Sequence, residues 1–337
     1  MPRTTAWLGL TLAILAPALL AGCGTGDRVT ERTPEAGGES AVERPPDKLT
    51  VAEQAGAEGE YAVALALFRE ILAEDPTETR AYLGIGDIFV QEQDYRSAEP
   101  YYERAARIDP RNYRAQFSYG RVLHLLERFV EAVRAYHRAL ALNPEGVEAN
   151  LGLGATYLSM DEPEHAVSFA EKAVQLDPRN GEARASLGEV YEASDRIEEA
   201  IAQYLIALEL MDDPRRVMRR LAEALIAEGR FVEAVNTAGS LVKLDATAAS
   251  HVLLGRAQFK AGAYDDSLQS YRKATELDAG DWGAWNGLGV NALNRWLLSA
   301  KSDEGARLEA RNAFRQSLRL NASQQNVIVL MQKYGLQ

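Results

Sequence analysis

The chain has 337 residues, 47% of them hydrophobic and 26% charged, with 37 basic side chains against 49 acidic ones. A formal charge of −12 argues against phosphate-backbone binding, which needs clustered Lys and Arg, and the apolar content argues against wholesale disorder. A single cysteine excludes an internal disulfide framework and a Cys-rich zinc or iron–sulfur site.

Met1 to Arg3 form a short basic start, and Ala6 to Leu20 an apolar run broken once by Pro17. The run is shorter than the roughly 20 residues that span a bilayer core, so residues 1–22 read as a secretory signal. It ends in Leu20-Ala21-Gly22-Cys23, and Cys23 is the only cysteine. This quartet resembles the lipobox of bacterial lipoproteins, in which the thiol accepts a diacylglyceryl group and becomes the new N-terminus. The resemblance implies a lipid anchor on Cys23. Gly24, where Asp is absent, is similar to the outer-membrane sorting signal of Gram-negative lipoproteins, so the expected location is the bacterial cell envelope and, if the cell is Gram-negative, the outer membrane facing the periplasm. Two or more acyl chains anchor stably, at about 0.8 kcal/mol per buried methylene, so no basic patch is needed.

Residues 23–48 are expected to be the lipidated cysteine and a flexible tether. From Gly24 to Lys48 there are four Gly, three Pro and no aromatic, Leu or Ile. Nothing there can bury a core, and such a stretch spans on the order of 25–30 Å.

From residue 49 to 337 the sequence repeats every 34 residues. Pro76, Pro110, Pro144 and Pro178 hold that interval, as do Gly86, Gly120, Gly154 and Gly188, and Ala98, Ala132, Ala166 and Ala200. Phe68, Tyr102, Tyr136, Ala170 and Tyr204 form a further column. One unit, near residue 246, is a residue short. Within a unit the apolar residues step by three and four, as in Ala81-Tyr82-Ile85-Ile88-Phe89, which predicts two helices per unit and no strand. Pro163 suits a first helical turn, and Asp195 with Glu198 predicts a capping box. Eight units are expected between about 47 and 320, followed by a capping helix over 324–334.

A 34-residue unit with this Leu-Gly, Tyr, Ala, Phe and Pro pattern resembles the tetratricopeptide repeat. Leu187-Gly188, Tyr191, Ala200, Tyr204 and Ala207 match one unit, and Leu254-Gly255, Tyr264, Tyr271 and Ala274 another. The resemblance implies an all-α, right-handed superhelical α-solenoid of about eight helix-turn-helix units. The last unit departs from it: Gly289 to Ala310 is 21 residues where Gly86 to Ala98 is 12. Those nine extra residues predict longer helices or a longer turn, read as an extended end cap in preference to a docking protrusion. Trp282, Trp285 and Trp296 are expected to pack that end.

No catalytic constellation is spelled. Glu198-Glu199, Asp212-Asp213 and Asp265-Asp266 are neighbours that diverge on a helix. The Gly-x-Gly strings at 84, 152 and 287 follow no strand and lack a third glycine, so they read as packing. His124 and His137 fall on different helices. The chain is therefore expected to be no enzyme, with no cofactor, metal, nucleic acid or small-molecule substrate.

Tetratricopeptide proteins characteristically bind peptide segments along the face lined by the first helix of each unit. Carried over, one groove column contains Leu83, Phe117, Leu151 and Arg219; the next, Asp87, Arg121, Glu189 and Arg256; the third, His124, Leu158, Glu192 and Phe259. The Lys and Asn of a carboxylate clamp for chaperone tails are missing from these columns. The resemblance implies a scaffold or assembly factor that captures segments of envelope proteins. The alternatives are a self-associating envelope lipoprotein or a non-catalytic subunit of an envelope enzyme complex.

Overall fold

The computed structural model describes residues 47–337; the signal over 1–22, Cys23 and the tether as far as residue 46 lie outside the described residues. Lys48, expected in the tether, opens the first helix, which Asp47 caps by accepting the Thr50 amide.

Eight helical hairpins follow one another. They pair α1 (Lys48–Ala57) with α2 (Tyr61–Glu74), α3 (Thr79–Gln91) with α4 (Tyr95–Ile108), and α5 (Tyr113–Leu125) with α6 (Phe129–Leu142). Next come α7 (Val147–Ser159) with α8 (Pro163–Leu176), α9 (Gly181–Ala193) with α10 (Ile197–Leu210), and α11 (Arg215–Ala227) with α12 (Phe231–Leu244). The last two are α13 (Ala248–Lys260) with α14 (Tyr264–Leu277), and α15 (Trp282–Leu298) with α16 (Glu304–Leu320). A single helix, α17 (Gln325–Tyr334), closes the stack. The described residues contain no strand, and none of their helices is long and apolar enough to cross a membrane.

The repeating prolines stand two residues past the even-numbered helices, where a missing N–H and a locked φ end the helix. Pro163 opens α8. The missing residue falls in the link between α12 and α13, which has three residues where the link before α3 has four. Seven hairpin tips each use one left-handed residue, and the longer tip between α15 and α16 uses two, Ala300 and Lys301. Gly59, Gly229 and Gly262 supply three, and Gln93, Glu127, Asp161 and Asp195 adopt φ near +60° in others. That requirement defeats the expected capping box: Asp195 is the left-handed residue, and Arg196 caps α10 without a side-chain bond.

From α3 to α13 each odd-numbered helix packs on its own hairpin partner, on the preceding even helix and on the next odd helix, and α1 packs on α2 and α3. No comparable packing joins successive even helices among the described residues. The odd helices therefore form the closely spaced layer, and the glycines on them admit the rings of the even helices. The nine extra residues of the last unit divide as four in α15, two in the tip and three in α16, relative to α13 and α14. Trp296 is buried there and Trp285 half-buried, whereas Trp282 stays 45% exposed.

Candidate functional site

Rings from the even helices floor the odd-helix layer. Phe68, Tyr102, Tyr136, Tyr204, Tyr271 and Phe314 are buried at one register position. A Cβ at Gly86 would stand 2.7 Å from the Tyr102 ring, and one at Gly188 2.5 Å from Tyr204. Tyr271 is overlain by both Gly255 and Gly287, where a Cβ would come within 2.9 and 2.0 Å. Where the ring is missing the packing differs. Gly154 faces Ala170 with nothing closer than 3.8 Å, while at Ala238 the next odd helix supplies buried Leu253.

Above this floor runs a series of ion pairs. An acid midway along one odd helix meets an arginine near the start of the next, 27 residues on. Glu53 binds Arg80 through two hydrogen bonds of 2.6 and 3.1 Å, Asp87 binds Arg114 at 2.5 Å, and Glu189 binds Arg216. Arg216 also reaches Glu182 at 2.6 Å, while Arg220–Glu192 and Arg256–Glu223 are looser at 3.7 and 3.8 Å. The floor holds two of these acids from below. Tyr102 donates its hydroxyl to Asp87 at 2.5 Å and Tyr204 donates to Glu192 at 2.7 Å. Burial, with the adjoining carboxylate, pushes both phenols well above their ordinary range. Burial also pushes the Glu189 carboxyl up, against the pull of Arg216 and Arg220.

Arg121 departs from the series. It stands at the acid's position in α5, and Glu148 at the arginine's position in α7, yet among the described residues no carboxylate lies within ion-pair distance of Arg121. Its guanidinium lies 6.0 Å from the centre of the Phe117 ring, and its Nε is buried without a partner. Arg121 lines a cavity of about 620 Å³ together with Glu53, Tyr61, Arg80, Gly84, Asp87 and Arg114.

The residues expected in the groove distribute as follows. Asp87 and Arg121 share that cavity, and Leu158, Glu189 and Glu192 line a second recess with Arg220. Phe117 is half-buried, parallel to Tyr113 with ring centres 6.1 Å apart. Leu151 is half-buried, Arg219 and Arg256 are exposed, and Phe259 is set edge-on to Tyr264. His124 Nδ1 lies 3.0 Å from Thr156 Oγ1. The Thr156 hydroxyl donates to the Gly152 carbonyl at 2.6 Å, so the imidazole N–H is the donor in that contact, and burial pulls the His124 pKa down. Leu83 is the correction. It is 2% exposed, enclosed with Ala98, Tyr102, Ala105 and Ala115, and supports the floor without reaching the groove surface.

The groove columns omitted Arg80 and Arg114, which share the register of Arg216 in the basic band of the groove. Their positions, with Glu148 and Glu182, keep the 34-residue interval and are charged at every step. That pattern was the available signal.

A stack of helical hairpins with a charged groove over an aromatic floor defines a class of repeat protein. The tetratricopeptide-repeat profile matches residues 52–95, 83–136, 126–180, 156–214, 186–250, 219–282 and 252–295, and the chain belongs to this family. Among solved structures it is similar to the pilF protein of Pseudomonas aeruginosa (21% identity, TM-score 0.52, 59% of this chain and 92% of that one). It is also similar to a tetratricopeptide repeat protein from Parabacteroides merdae ATCC 43184 (15% identity, TM-score 0.54, 72% of this chain and 97% of that one). A third is the APC/C hetero-tetramer Cut9–Hcn1 (16% identity, TM-score 0.55, 80% of this chain and 52% of that one). At these identities the likeness is one of fold. No curated protein matches the chain.

Proposed function

We propose that the chain is a non-catalytic scaffold of the bacterial cell envelope, held at a membrane by lipid on Cys23, that captures a segment of another envelope protein along its odd-numbered helices. Repeats of this family serve protein–protein contact, and the observation that carries the reading here is the preformed cavity beside Arg121. Charged and apolar groups stand side by side in it, which suits a peptide with both. The tethering half of the reading is supported by Leu20-Ala21-Gly22-Cys23 after an apolar run, ahead of a Gly- and Pro-rich stretch long enough to hold a folded body off a lipid surface. Gly24, with no Asp at that position, supports outer-membrane attachment facing the periplasm if the cell is Gram-negative.

Two measurements in the native cell test the two halves. A photocrosslinking residue at Gln91, which lines the cavity, is expected to trap an envelope protein, whereas one at the exposed Glu103 on α4 is not. Identical products from both sites would overturn groove capture. Cys23→Ser is expected to move the protein from the membrane fraction to the soluble fraction; retention in the membrane would overturn lipid anchoring.

A further inference from the structure

We infer that the cavity walled by α1, α2, α3 and α5 selects a partner segment bearing a carboxylate side chain next to an apolar one, and that Arg121 is the residue that pairs with the carboxylate. This deepens the groove reading above and rests on it.

Three guanidinium groups and two carboxylates face the cavity. Arg80 is closed on Glu53 and Arg114 on Asp87, which leaves Arg121 as the cation without a counter-charge among the described residues. Asp87 is engaged by the Tyr102 hydroxyl and by Arg114, and it lies outside ion-pair distance of Arg121. Glu148 stands at the register position that closes the pair elsewhere, but the Arg121 guanidinium lies beside Phe117. The side chain is half-buried and its Nε is shut off from water with no acceptor. A partly desolvated cation of this kind gains most from a ligand that brings both charge and acceptors, and a carboxylate matches the planar fork of arginine.

The rest of the wall is different in kind. Ala57, Tyr61 and Phe68 supply apolar surface, with the Phe68 ring packed directly against the bare backbone of Gly84, so an apolar side chain of a ligand would rest on these groups. The chain as a whole is acidic, so its long-range field opposes an acidic ligand. Selection for a carboxylate must then come from the short-range pair, which salt screens less than the repulsion between separated charges.

The test selects randomised ten-residue peptides on the full-length protein purified in detergent. Asp or Glu is expected to be enriched at one position, beside an apolar residue. Against a selected acidic peptide, Arg121→Gln is expected to weaken binding about ten- to hundred-fold, the range of a hydrogen-bonded charge pair. The same peptide with its acid replaced by Gln or Asn should bind both proteins alike. Arg121→Glu is expected to shift the enrichment to Lys or Arg at that position, which shows that the cavity remains folded. A wild-type selection without acid enrichment, or an acidic peptide indifferent to Arg121→Gln, overturns this inference and leaves groove capture standing. Peptides that crosslink only to the even-numbered helices overturn groove capture itself. Tighter peptide binding after deletion of residues 24–46 assigns the cavity to the chain's own acidic stretch and overturns an external ligand.

Discussion

Tyr102 donates its buried hydroxyl to Asp87 at 2.5 Å, and the other oxygen of the same carboxylate accepts from Arg114 of the next hairpin. One acid therefore joins a floor ring to the groove wall across a unit boundary. Tyr102→Phe keeps the ring and removes only the bond, and is expected to lower stability by about 1–2 kcal/mol. Tyr102→Ala also leaves a cavity and should cost about 3–5 kcal/mol. Urea unfolding followed by helical circular dichroism checks both, and equal losses would show that the hydroxyl contributes nothing of its own.

Glycines within the helices should respond in opposite directions, according to what each one faces. Gly287→Ala drives a Cβ to 2.0 Å from the Tyr271 ring, an overpacking expected to cost about 1–3 kcal/mol. Gly154→Ala meets nothing closer than 3.8 Å and gains helix propensity, so it is expected to stabilise by roughly 0.5–1 kcal/mol. Gly239, with no atom within 4 Å, should behave like Gly154. Thermal midpoints of the variants decide the matter; a destabilised Gly154→Ala would contradict the open space described.

Ion pairs should divide by the burial of the acid. The Glu189 side chain is 23% exposed and is served by Arg216, whereas the Arg107–Glu103 pair within α4 is open to solvent on both sides. Arg216→Met strands a half-buried carboxylate and is expected to cost about 1–2 kcal/mol, against less than about 0.5 kcal/mol for Arg107→Met. Adding Glu189→Gln to Arg216→Met should recover most of the loss, because no charge is then left buried. A double variant as weak as the single one would place the effect elsewhere.

Acid should loosen the contact between α5 and α7. Burial lowers the His124 pKa, so the unfolded chain takes up its proton at a higher pH than the folded chain does. Stability is therefore lost as pH falls through about 6.5 and levels off below the folded value. His124→Gln cannot be charged and still offers Thr156 a donor. Its urea midpoint is expected to fall less than that of the parent between pH 7.5 and 5.5, and equal falls would exclude His124 as a source.

Much of the fold was legible because its determinants are local. Pro76 and its repeats, Pro163 at the start of α8, and the step of three and four in Ala81-Tyr82-Ile85 each act within one helix or turn. Gln325–Tyr334 emerged as the closing helix for the same reason. The Asp195–Glu198 capping box failed because two local demands compete there, and the left-handed residue required by the tip prevails. The candidate site was legible only in part. Leu83, Phe117 and Leu151 share a column, yet Leu83 is buried while the other two are half-buried, since its surroundings are set by side chains from α4 and α5.

The amino-acid order by itself determined the 34-residue rhythm, the helices, their small contact residues and the length of the last hairpin, because each depends on neighbours within a few turns of chain. The tertiary structure alone decided which charges find partners. Asp87 and Arg114 meet across 27 residues, whereas Arg121 and Glu148, at the same spacing with the signs reversed, do not. Register brings such groups onto facing helices, but the surrounding side chains settle where each guanidinium rests: Arg114 on a carboxylate that Tyr102 holds in place, Arg121 beside the ring of Phe117.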